Sequence, residues 1–188
     1  MTNFDPTKVP GVNELINAKD LLNKIGIEEN MRMGDLGCGA RGYFATQAAK
    51  MVGHKGIVYA VDVVKNVLTS VISYAHILGI YNITGVWSNL EKYGATKIRP
   101  GSLDVALLIN VLFQTKDDAT VLKESVRLLK SGGKLAICDW KRTGAPFGPA
   151  VELRVDFEAM KQLAAGLGLK LEKELEAGPY HWAMVFKK

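Results

Sequence analysis

Cysteine and histidine are scarce in this chain, two of the first and three of the second in 188 residues. Cys38 and Cys138 stand far apart, and His54, His76 and His181 are scattered. No set of residues has metal-ligand spacing, so a structural zinc or iron centre is not expected. Long apolar runs are missing too: nothing approaches the roughly 18 consecutive apolar residues of a membrane span. The stretch 1–10 holds Asp5, Pro6 and Lys8 without an apolar core, unlike a secretory signal, which makes a cytoplasmic location the default expectation. Nor does one sign of charge dominate, with 24 Lys and Arg against 19 Asp and Glu, a net of +5. The basic residues gather only in pairs such as Lys141-Arg142 and Lys187-Lys188. A nucleic-acid binder concentrates them on one face with aromatic residues between, so nucleic acid is possible as a partner but not favoured. Repeats, low-complexity tracts and interdomain linkers are absent. The length suits one domain, 1–188, with 1–12 as an N-terminal extension.

Glycine, by contrast, is well supplied, with 19 in the chain, and three, Gly37, Gly39 and Gly42, are tightly placed. In Met33-Gly34-Asp35-Leu36-Gly37-Cys38-Gly39-Ala40-Arg41-Gly42 they join an expected strand to an expected helix, with an acid two residues before Gly37. Such spacing lets backbone turn sharply and approach a ligand without a Cβ in between. A second acid, Asp62, ends the next expected strand, 56–61.

Around this loop, apolar spacing predicts a helix from Asn13 to Lys24, a strand ending at Leu36 and a helix from Tyr43 to about Val52. A helix follows over about 65–78, then a short strand over 82–87 and a nearly all-apolar one over 103–109, suited to the centre of a parallel sheet. Asp117 to Lys130 reads as a helix stopped by Ser131-Gly132-Gly133, and 134–138 as the fifth strand. Strands alternating with helices indicate a doubly wound, Rossmann-like α/β sheet. The ending breaks that alternation. After a helix near 155–167, the segments 169–175 and 182–186 flank the turn Glu176-Ala177-Gly178-Pro179 and predict an antiparallel pair at the sheet's end.

Two ligand classes use a glycine loop in such a sheet. A dinucleotide needs it for pyrophosphate, with an acid after the second strand for the ribose. S-adenosylmethionine has no phosphate, and its ammonium group favours a nearby carboxylate, which Asp35 can supply. On these residues the chain resembles the class I S-adenosylmethionine-dependent methyltransferases: Asp35-Leu36-Gly37-Cys38-Gly39 is similar to that family's first motif, and the likeness runs from about residue 13 to the terminal hairpin. It is most similar to the type 11, ubiquinone- and menaquinone-biosynthesis-like group of small-molecule enzymes. The resemblance implies strand order 3-2-1-4-5-7-6 with strand 7 antiparallel, and S-adenosylmethionine as cofactor. It places Asp35, Gly37, Cys38, Gly39 and Gly42 in the loop, and Asp62 with Val63 at the ribose. Asn89 and Leu90 fall beside the adenine, Asn89 standing where an acid is usual, and Asn110 beside the methionine portion.

Methyl transfer by direct displacement needs alignment and a dry pocket more than a dedicated base. No motif here specifies the acceptor: Asn110 is followed by Val111-Leu112-Phe113, not by the Pro-Pro-aromatic sequence of amino-directed enzymes. Phe113, Gln114, Trp140 and Tyr180 are expected at the acceptor, with 143–149 as a lid. Asp139 and His181 are weak candidates for a base, and both also read as structural residues. Cys38 and Cys138, separated by strand four, are out of disulfide reach. A small-molecule or lipid-like acceptor is expected first. RNA or protein acceptors, a non-catalytic S-adenosylmethionine-binding subunit and, remotely, an NAD-dependent oxidoreductase are the alternatives.

Overall fold

The computed structural model describes residues 15–143 and 147–188. Its centre is a seven-stranded sheet of order β3-β2-β1-β4-β5-β7-β6, built from β1 (Arg32–Leu36), β2 (Ile57–Asp62), β3 (Ile83–Trp87), β4 (Leu103–Ile109), β5 (Leu129–Trp140), β6 (Lys170–Glu176) and β7 (His181–Lys187). β1 to β5 run parallel, and β7 is antiparallel to both β5 and β6. Among the described residues, α1 (Ala18–Ile25) precedes β1, and α2 (Tyr43–Val52), α3 (Lys65–Ile77), α4 (Asp118–Leu128) and α5 (Phe157–Gly166) connect strands. The expected fold class, strand order and antiparallel ending are all present.

Alternation along the strands sends successive side chains to opposite faces. Met33, Val58, Ala60, Val105, Leu107 and Cys138 join a core with α1, α2 and α3. Leu36, Val61, Ala106, Leu108, Leu135 and Ile137 join a second one with α4 and α5. Asn17, Asp117 and Asp156 start α1, α4 and α5, each side chain accepting from a backbone amide three residues on. No helix among the described residues is long and apolar enough to cross a membrane.

Three expectations shift. The helix expected from Asn13 is interrupted at Ile16 and Asn17, and α1 starts at Ala18; residues 13 and 14 lie outside the described residues, as does the 1–12 extension. α4 stops at Leu128, because Leu129 already pairs with Leu103 across the sheet. The stretch 130–133 then bulges before Lys134 pairs with Val105, with Gly132 at φ 72°. Of the expected lid, Gly144, Ala145 and Pro146 lie outside the described residues.

Candidate functional site

β1 and β2 end side by side, Leu36 opposite Val61, and the chain then turns through 37–42 into α2. Gly37 and Gly42 have φ of 90° and 50°, and neither position has room for a side chain. A Cβ would lie 2.6 Å from Val111 Cγ2 at the first and 2.5 Å from Val71 Cγ1 at the second. Gly39, at φ 65°, differs in having nothing within 4 Å of its Cβ position, so the loop backbone there is open to a ligand. The Gly37 and Cys38 amides donate to the Val61 carbonyl at 2.8 and 2.9 Å. Asp62 completes the frame: its Oδ2 accepts from the Gly39 amide at 3.1 Å and its Oδ1 from the Val64 amide at 2.9 Å. Each carboxylate oxygen retains accepting capacity.

In front of the loop lies a cavity of about 340 Å³, the size of a small-ligand site. Gly37, Gly39, Asp62, Val63, Leu90 and Gln114 line it, with Asn89 and Val111. Asn89 stands on the cavity wall, and its Oδ1 accepts from the Glu91 amide at 2.8 Å. The oxygen expected to face an adenine amino group is thus turned onto its own chain, as short Asn side chains do in turns. Cys38 and Gly42 shape the loop and, like the buried Asp35 and the half-buried Asn110, do not line the cavity. Burial, then the charges of Asp35 and Asp62, push the Cys38 thiol well up, which disfavours the thiolate form.

Two buried oxygens stand at the ends of neighbouring strands. Asp35 pairs with Leu107 in the β1–β4 ladder, and Asn110 follows β4 directly. Asp35 Oδ2 and Asn110 Oδ1 have no hydrogen-bond partner among the described residues. Burial pushes the Asp35 carboxyl up to about 7 against the pull of the Ala45 amide, and the Asp62 charge adds to the rise. Asn110 is held at φ 56°, its amide donating to the Cys138 carbonyl at 2.8 Å and its carbonyl accepting from Gln114 Nε2 at 3.2 Å. A non-glycine residue kept in that region marks a constrained position.

At the ends of β5 and β7, Asp139 and His181 are both fully buried. Asp139 accepts from the Trp140 amide at 2.8 Å and the Leu112 amide at 3.2 Å. Burial pushes its carboxyl up to about 6 against these bonds and that of Phe113. It secures the short 3-10 turn Leu112–Gln114 and does not line the cavity. His181 lies opposite Trp140 in the β5–β7 ladder, ring centroids 4.3 Å apart, and neither ring nitrogen has a partner among the described residues. Burial, then the Lys141 and Arg154 charges, pull its pKa down to about 4, leaving the imidazole neutral. Trp140 also meets Phe147 edge-on at 6.3 Å, and Phe147 meets Tyr180 at 5.0 Å. Phe113, Phe147 and Tyr180 pack on the same core cluster as Trp140.

Residues 27–178 match the family model described as a methyltransferase domain. The chain belongs to that family. A solved S-adenosylmethionine-dependent methyltransferase from Aquifex aeolicus superposes with a TM-score of 0.86 at 26% identity, covering 98% of this chain and 99% of that one. An arsenic(III) S-adenosylmethionine methyltransferase from Chlamydomonas reinhardtii shares the fold, with a TM-score of 0.68 at 24% identity over 86% of this chain and 64% of that one. An arsenite methyltransferase from Aquipseudomonas alcaligenes is 32% identical over 111 residues. That match takes in 56% of this chain, which spans only 31% of the curated relative's length. The protein is a class I S-adenosylmethionine-dependent methyltransferase with S-adenosylmethionine as its methyl donor.

One organising residue of this methyltransferase escapes a reading of the sequence. Arg154 is only 4% exposed and donates to the carbonyls of Lys141, Thr143, Phe147 and Pro149, at 2.9, 3.1, 3.3 and 3.0 Å. Its guanidinium also lies 5.5 Å from the Trp140 ring centroid. It thus ties down both described ends of the loop after β5. A lone arginine beyond a Gly- and Pro-containing loop is the only sequence signal for this.

Proposed function

We propose that the donor binds across the 340 Å³ cavity and that the methyl group passes to a small or lipid-like acceptor at the ends of β4 and β5. The observation that carries the reading is the pair of unpartnered oxygens, Asp35 Oδ2 and Asn110 Oδ1, beside the glycine loop. Buried acceptors without donors are costly and fit a cationic ligand group, here the ammonium of the methionine portion. Asp62, already aligned by the Gly39 and Val64 amides, is suited to the ribose hydroxyls. Val63 and Leu90 offer apolar contact to the base. Bound donor supplies a methyl group on a sulfonium, ready for displacement. The protein's part is to orient donor and acceptor and to exclude water.

The acceptor side supports an apolar substrate. Trp140, Phe147 and Tyr180 form an aromatic group there, with the neutral His181 among them. Asp139 is committed to backbone amides, so the transfer proceeds without a carboxylate base. The arsenic chemistry of two relatives does not carry over easily. Trivalent arsenic favours soft thiolates, whereas Cys38, in the loop after β1, and Cys138, on β5, are both free, have thiols pushed up by burial, and belong to strand segments with β4 between them.

The test is methyl transfer from labelled donor to metabolite, lipid, RNA and protein extracts in parallel. Label entering the metabolite or lipid fraction is expected. Label entering RNA alone, or protein alone, would overturn the acceptor class.

A further inference from the structure

The two edges of the sheet differ in kind. β6, Lys-Leu-Glu-Lys-Glu-Leu-Glu, carries alternating charges along its length, the usual protection against pairing with another chain. β3, Ile-Thr-Gly-Val-Trp, carries none and pairs only with β2. The phase of its ladder is fixed at both ends: the Val58 amide donates to the Asn82 carbonyl, and the Ser88 amide to the Asp62 carbonyl. In a parallel ladder, alternate residues bond to the same neighbour. Asn82, Thr84, Val86 and Ser88 therefore face β2, and the N–H and C=O groups of Ile83, Gly85 and Trp87 face outward. No hydrogen bond among the described residues reaches them.

A groove of about 620 Å³ runs beside this edge, between 84–87 and the connection 89–97. Lys92 and Lys97 line it, and Trp87, 58% exposed, lies beneath the Lys65 ammonium at 4.1 Å from the ring centroid. Among the described residues none of these three lysines is paired with a carboxylate. The groove wall is held in place by the buried Glu124, which accepts from the Gly94 and Thr96 amides at 2.8 and 2.9 Å and pairs with Arg127. The groove shares Val63, Ser88 and Asn89 with the cofactor cavity.

We propose that the β3 edge is a docking site for an acidic, extended segment of a partner protein, added to the sheet as a further strand. Outward backbone groups supply the ladder, and the lysines select acidic side chains. A second copy of this chain would bring the same lysines face to face across a two-fold axis. RNA would engage the lysines and Trp87 but leave the ladder groups unmatched.

The test uses the full chain and blocked octapeptides alternating Glu with Val, or Lys with Val, followed by amide nuclear magnetic resonance. The acidic peptide should bind and shift the amides of Ile83, Gly85 and Trp87, and methylating its alternate amide nitrogens should weaken binding at least about tenfold. Gly85→Pro should abolish binding, with retained S-adenosylhomocysteine affinity showing that the variant is folded. The Lys92→Glu, Lys97→Glu double variant, which leaves the backbone alone, should reverse the preference to the basic peptide. Equal binding of the methylated peptide, or none by the acidic peptide at millimolar concentration, overturns the proposal. So does a uridine oligonucleotide that binds these amides more tightly than the peptide, or a concentration-dependent dimer that Gly85→Pro returns to monomer.

Discussion

Replacing Asp35 with Asn should stabilise the ligand-free protein and weaken its hold on the donor at once. The Asp35 carboxyl rises from an ordinary 3.8 to about 7 because it is buried with one oxygen unpartnered. At about 1.4 kcal/mol per pKa unit, keeping it ionised in the empty protein costs ~4 kcal/mol. Since the folded value lies above the ordinary one, the corresponding stability is fully present below about pH 4. It is lost as pH rises towards the folded value of about 7. The Asp35→Asn variant has no such titration. Its stability should fall less over that window, and at pH 8 its denaturant midpoint should exceed that of the parent. Ligand binding carries the opposite sign, because an ammonium group favours the ionised carboxylate. The parent's affinity for S-adenosylhomocysteine should be level above pH 7 and weaken by about tenfold at pH 6, one unit below the carboxyl's pKa. At that pH, calorimetry in buffers of different ionisation enthalpy should show nearly one proton released per ligand bound. The variant should bind more weakly at pH 8 and show no such slope. A parent whose affinity is level from pH 5.5 to 8, or a variant that keeps the parent's slope, would refute the reasoning.

Three further outcomes follow from the geometry. Asp62→Ala should weaken S-adenosylhomocysteine binding by about 30-fold, ~2 kcal/mol for the lost charge-assisted bonds, measured by calorimetry; a loss under about threefold would remove Asp62 from the ribose. Gly42→Ala forces a Cβ to within 2.5 Å of Val71 Cγ1 at a φ of 50°. It should cost ~2–3 kcal/mol in denaturant unfolding, and adding Val71→Ala should recover the steric part only. Arg154→Met removes the donors that hold the Lys141, Thr143, Phe147 and Pro149 carbonyls. Trypsin should then cut after Lys141 or Arg142 faster than in the parent while S-adenosylhomocysteine affinity is unchanged; equal cutting rates would contradict the clamp.

The sheet was legible because its signals are periodic. The apolar run of β4 placed it centrally, and the alternation of 169–175 ahead of a Gly-Pro turn marked the antiparallel end. The glycine loop and Asp62 were legible for a related reason: backbone that must pass close to Val111 and Val71 leaves glycine as a local trace. What stayed hidden depends on contacts between distant segments. The end of α4 is set by Leu129 pairing with Leu103, which no local pattern announces. Asp139 looks like a base in sequence, yet the amides that occupy it come partly from the turn after β4. Asn89 could have been anticipated, since an Asn followed two residues later by a free amide commonly turns back on its own chain. The Arg154 clamp could not, because its partners are carbonyls and carry no side-chain signature.

The most direct measurement is a crystal structure with S-adenosylhomocysteine bound. The ligand's ammonium should lie within hydrogen-bond distance of Asp35 Oδ2 or Asn110 Oδ1, directly or through one water, with both ribose hydroxyls on Asp62. A ligand whose ammonium engages neither oxygen, or whose ribose sits away from Asp62, would contradict the assignment of this cavity.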